Sequence, residues 1–175
     1  MRLHRRVGCV LLAAFLVACA TTQGAREHAT NELWVFEFDE RLWALGYSQA
    51  AGDRAIREYV LAGESVENWT ELVTTLYAGV SVEPHALYEH FRNDIARDCA
   101  SLEISVVEET ATSVLFEWRH QGCQGIAAQH ELHRVVNTDT STYSLAFVEK
   151  TQKLTAEKRG TWLSILRAAS IRPGG

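Results

Sequence analysis

Three short stretches carry side chains whose types and spacing could do chemistry. His130-Glu131-Leu132-His133 sets two imidazoles around a carboxylate, which are metal-ligand and proton-transfer groups. A zinc-protease helix places its histidines one turn apart, as HExxH; here the second falls one residue early. The flanking residues read as strand, where positions three apart point to opposite faces, so one metal ion cannot take both rings. The expectation is one histidine hydrogen-bonded in a sheet and the other solvated. Arg119-His120-Gln121-Gly122-Cys123-Gln124-Gly125 is polar and glycine-containing, as loops that carry binding groups are. His120 close to Cys123 could form a thiol–imidazole dyad, but a disulfide at Cys123 would remove the thiolate such a dyad needs. His90 and Asp94 stand one helical turn apart, a spacing that can fix an imidazole tautomer and is common in exposed helix pairs. The candidate binding residues are therefore His120, Gln121, Gln124, His130 and Glu131. No GxSxG elbow, Walker A loop, dinucleotide fingerprint or SxxK pair is present, so no catalytic residue, no cofactor and no metal site is assigned.

The elements that must position these groups follow from periodicity. Trp34, Phe36 and Phe38 alternate with polar neighbours as in a half-buried strand. Trp43, Leu45 and Tyr47 alternate again, and a Gly52-Asp53 turn leads to Ile56–Leu61, which together read as a hairpin. Ser65 can N-cap a helix with Trp69, Leu72, Val73 and Leu76 on one face, ended by Gly79. Glu83-Pro84 opens a second helix, whose apolar stripe is Leu87, Tyr88, Phe91 and Ile95; Cys99 lies at its end. Four strands follow, marked by Leu102, Ile104 and Val106, by Val114, Phe116 and Trp118, by Ile126 to Val136, and by Tyr143, Leu145 and Phe147. Short polar links suit antiparallel hairpins. Thr155 caps a last helix that turns Trp162, Ile165, Leu166 and Ala169 inward, and residues 172–175 read as a tail. Strands and helices come in blocks, which predicts an α+β fold with an antiparallel sheet covered by helices. Of the five tryptophans, Trp69, Trp118 and Trp162 are in phase with apolar stripes and read as core; Trp34 and Trp43 could face a partner.

The first residues follow a different logic. Arg2, Arg5 and Arg6 precede an apolar run from Val7 to Val17, long enough for a secretion signal and too short to span a bilayer of about 30 Å. Leu16-Val17-Ala18-Cys19 closes the run. This start resembles the lipobox of bacterial lipoproteins. The resemblance implies cleavage of residues 1–18, acylation of Cys19, and a membrane held through the N-terminal lipid, since several chains anchor stably where one is marginal. Ala20, in place of aspartate, implies the outer membrane, with the domain facing the periplasm. Residues 19–30 are small and polar and read as a tether, leaving 31–175 as a single domain.

Cleavage would remove three of the 17 Lys+Arg and none of the 22 Asp+Glu, leaving 14 basic against 22 acidic residues, a net of −8. An acidic chain lacks the footprint for nucleic acid, and the lipid would do the membrane work alone. With Cys9 cleaved and Cys19 lipidated, Cys99 and Cys123 remain, an even number in an oxidising compartment, and read as one disulfide.

The element order, with Glu64-Ser65-Val66-Glu67-Asn68-Trp69-Thr70-Glu71-Leu72 and Gln129-His130-Glu131-Leu132, resembles bacterial lipoproteins with a PsbP-like α/β/α domain. That resemblance implies a sheet between helices and a binding or assembly role, with no shared chemistry to carry over. The functional expectation is a lipid-anchored, non-enzymatic module that binds a protein or envelope component. The alternative is a small-ligand or metal binder using His130, Glu131 or the 119–125 loop.

Overall fold

Alternating apolar and polar residues make extended backbone through the centre of the chain. The computed structural model describes residues 32–173. The leader, Cys19 and the tether lie outside the described residues. Seven strands form one antiparallel sheet: β2 (Trp43–Ala51), β3 (Arg54–Leu61), β4 (Glu71–Ala78), β5 (Glu103–Thr110), β6 (Ser113–His120), β7 (Gln129–Asn137) and β8 (Thr142–Glu149), in spatial order β2-β3-β4-β8-β7-β6-β5. Two meanders, β2-β3-β4 and β5-β6-β7-β8, thus join where β4 pairs with β8. Helix α1 (Pro84–Asp98) connects them and packs on one face; α2 (Ala156–Ala168) packs on the other. The α+β class expected from the blocks of elements is what the chain adopts. None of the described helices is long and apolar enough to cross a membrane.

Both helices start where side-chain chemistry supplies their free amides with acceptors. The Glu83 carboxylate accepts from the His85 and Ala86 N–H groups, with Pro84 at the first turn. Thr155 Oγ1 accepts from the Lys158 N–H at 3.2 Å. At the other end of α2, Arg134 from β7 donates to the carbonyls of Leu166 and Ala169, at 2.5 and 2.8 Å. The α2 face holds the larger core. Trp162 is fully buried, stacked on Phe147 at 4.1 Å and edge-on to Trp43 at 5.6 Å. The α1 face is filled by Tyr88, Val114, Phe116, Trp118 and Val135, with Phe91 and Ile95 from the helix side. Trp34 and Trp43 pack against the α2-face core, so neither stands clear as a partner surface.

Three sequence expectations change. The helix expected from Ser65 is instead a turn followed by β4. Leu72 and Leu76 are four apart, a spacing that shares a face in a strand as well as in a helix. Val73 decides between them: its side chain joins the α2-face core, while Leu72 packs with Val60 and Val148 on the other face. The β-branched run Val73-Thr74-Thr75 suits a strand paired on both sides. Ser65 closes a tight bridge with Asn68, and the Glu64 carboxylate accepts from the Thr70 N–H and hydroxyl. The first expected strand is cut short: β1 (Glu32–Val35) ends before Phe36 and Phe38, which pack on the core from irregular backbone. The expected tail is partly a strand, since β9 (Ser170–Pro173) pairs with β1. Gly46 marks a bulge in β2, where an added Cβ would meet Val66 Cγ1 at 3.0 Å.

Candidate functional site

Strand β7 distributes the His130–His133 segment to both faces of the sheet, as its period of two requires. His130 faces α2. Leu154 N–H donates to its Nδ1 at 2.9 Å, so the neutral ring carries its proton on Nε2. Nε2 turns towards Glu117 but stays 3.9 Å from Oε2, beyond a hydrogen bond. Burial lowers the pKa of His130; Glu117 works against this, and Arg119, Arg159 and Lys153 reinforce it. His130 is 4% exposed.

Its ring lines a cleft of about 350 Å³ at the N-terminal end of α2, together with Glu103, Glu117, Arg119, Lys153 and Arg159. The β5–β6–β7 register places Glu103, Arg119 and His130 side by side. Arg159 Nε donates to Glu117 Oε2 at 2.6 Å, and Arg119 Nε to Glu103 Oε2 at 3.1 Å. Among the described residues Arg159 engages its side chain through Nε alone, and the exposed Lys153 ammonium, whose charge is felt at His130, takes part in no hydrogen bond or ion pair. Beyond the cleft the same end of the sheet carries a closed ion-pair network. Arg41 binds Glu71 through both terminal nitrogens, at 2.6 and 2.7 Å, and also holds Asp39. Lys158 bridges Glu71 and Glu149. Burial would raise the Glu71 carboxyl, but its bonds from Arg41 and Lys158 outweigh that and hold it below the usual range.

Glu131 and His133 face α1. Glu131 Oε1 lies 2.7 Å from His133 Nδ1, and His133 Nε2 is hydrogen-bonded to Ser144 Oγ on β8. This Ser–His–Glu order is that of a hydrolase triad. Its setting is not. The His133 ring is stacked on Phe116 at 4.8 Å and met edge-on by Phe91 from α1 at 5.7 Å. Glu131, His133 and Ser144 are all buried, and the strands on both sides of β8 hold it in continuous ladders. In a ladder the amides point along the sheet, away from where an oxyanion above Ser144 would need donors. The expectation that one of the two histidines is solvated is overturned. Both are buried, because each face of β7 is covered by its own helix.

The third expected site sits at the α1–β5 corner. Cys99, the C-cap of α1, and Cys123 are at disulfide distance, with Cα atoms 5.5 Å apart. Gly122 and Gly125, at φ 104° and 81°, let the loop double back, so that Cys123 and Ile126 exchange backbone bonds. Gly122 N–H donates to His120 Nδ1 at 2.9 Å, and burial lowers that ring's pKa against the bond it donates to the Gln129 side chain. Gln121 bonds through its backbone to Ser101, and Gln124 reaches Asp98 at 3.5 Å. Cys99, His120 and Cys123 bring three metal-ligand atoms within 4.8 Å of one another, the one such trio among the described residues. With the sulfurs joined, it offers no thiolate. His90 lies 3.3 Å from Asp94 on the exposed side of α1 and does not line the cleft beside His130.

The fold therefore separates the five candidate binding residues. His130 enters the cleft, Glu131 enters the buried chain, and His120, Gln121 and Gln124 belong to the cysteine corner. Sequence reasoning missed Ser144, Lys153 and Arg159. Ser144 was legible in principle, since Tyr143, Leu145 and Phe147 on one face place it on the other, beside Val135. Lys153 and Arg159 carried no signal, because they reach the cleft only through the docking of α2. Comparisons with protein families, curated proteins and solved structures found no match to this chain.

Proposed function

We propose that this chain is a lipid-anchored protein of the bacterial cell envelope whose domain acts by binding a protein or envelope component rather than by catalysis. The observation that carries binding over catalysis is the packing of the Ser144–His133–Glu131 chain. It has the order of a triad, yet lies between aromatic rings with its neighbouring amides in ladders. A Cys99–Cys123 pair at disulfide distance supports an oxidising compartment, as the lipobox-like start implies. The antiparallel sheet with a helix on each face supports a PsbP-like domain, and with it a binding or assembly role.

Labelling with a fatty-acid analogue, followed by fractionation, tests the anchoring. The parent chain should incorporate label and sediment with outer membranes, and Cys19→Ser should do neither. Normal maturation and membrane flotation of Cys19→Ser would defeat the proposal. A second reading has its own observation: the cleft beside His130 gathers unengaged donors at one point, which favours a small ligand held by the domain.

A further inference from the structure

We propose that the cleft beside His130 binds a small oxyanion, a carboxylate or phosphate group, between the His130 Nε2–H, the Arg159 guanidinium and the Lys153 ammonium. This rests on the small-ligand reading above and names its chemistry.

Three observations converge. First, the cleft holds three unengaged donor groups on three different residues. His130 is more than nine-tenths buried, and its Nδ1 already accepts from Leu154, which leaves Nε2–H facing the cleft with Glu117 too far to accept it. Among the described residues no group takes up the terminal nitrogens of Arg159 or the ammonium protons of exposed Lys153. A ligand that satisfies these three donors is an acceptor, and an ionised carboxylate or phosphate offers acceptor oxygens with the charge to match two cations. Second, each of the two carboxylates in the cleft already neutralises an arginine through its Oε2. Glu117 holds Arg159 through Nε, and Glu103 holds Arg119 through Nε and Nη2. Side-on pairing of this kind fixes the guanidinium plane and leaves the forked end of Arg159 for a ligand. Third, the local charge runs against the whole. Three cations face two anions here, in a chain whose formal net charge is −5. The volume, about 350 Å³, falls at the small end of the usual range for ligand sites.

The test is an NMR titration of the mature chain with inorganic phosphate, acetate, choline and glucose in turn, at matched ionic strength. Saturable shifts at His130, Leu154 and Arg159 are expected with phosphate or acetate, and the stronger of the two identifies the group. Lys153→Ala, at an exposed side chain, keeps the fold and should weaken binding about threefold to tenfold. Arg159→Met should weaken it about tenfold or more, since a charge-assisted bond is lost and Glu117 is freed. Saturable shifts with choline or glucose at these residues, and none with either anion, would overturn the oxyanion class while keeping the cleft as a ligand site. Silence of these residues to all four titrants would overturn both. Anion binding unchanged in both variants would place the site elsewhere and overturn the assignment.

Discussion

Breaking the Cys99–Cys123 link should lower stability through the unfolded chain more than through the folded one. The two residues are 24 apart in sequence, and the segment they enclose holds the β5–β6 hairpin. For a loop of that size the chain-entropy model gives about −12 cal/mol/K, or about 3.5 kcal/mol at 25 °C. The folded state loses little when both residues become alanine. The Cys99 N–H still bonds to the Ile95 carbonyl and ends α1, and the hairpin keeps its own ladder. A chain of this length melts about 2–4 °C lower for each kcal/mol lost, so Cys99→Ala/Cys123→Ala should melt about 7–14 °C below the parent. Thermal unfolding followed by circular dichroism measures this, and full reduction of the parent should reproduce most of the drop. A double variant melting within about 2 °C of the parent, or a parent unmoved by reduction, would refute the reasoning. So would thiol reagents labelling both cysteines in the folded, unreduced protein.

Glu71→Gln should cost about 2–3 kcal/mol in urea unfolding, because Arg41 and Lys158 lose their shared anion; both cations are partly exposed, which moderates the loss. A change under about 0.5 kcal/mol would show that the network is solvated in solution. The depressed pKa values of His120 and His130 mean that the unfolded chain binds protons there before the folded one does. Stability should therefore fall as pH drops below the unfolded histidine value, near 6.5, and His130→Gln should flatten that slope; a slope unchanged in the variant would contradict the assignment. Fluorophosphonate should not label Ser144 in the folded protein, given its packing; stoichiometric labelling lost in Ser144→Ala would move the protein to the hydrolases.

The sequence determined what is local. Glu83-Pro84 and Thr155 start helices because a carboxylate or hydroxyl there satisfies free amides wherever the helix packs. The alternations in β6, β7 and β8 fixed two-sided strands, and that period alone sent His130 and His133 to opposite faces. The acidic balance and the basic, apolar start are likewise properties of composition and order. Tertiary structure decided what depends on who lies alongside. Leu72 and Leu76 suit a helix or a strand equally, and only pairing with β3 and β8 made β4 extended. Ser144 meets His133 because the β7–β8 register puts it diagonally across; a shift of one residue would turn it to the other face. Arg159 and Lys153 join His130 because α2 docks over β7, although His130 and Arg159 are separated by almost thirty residues. Periodicity encodes a residue's face, but the partners it finds there come from register and docking, which are settled by contacts between distant parts of the chain.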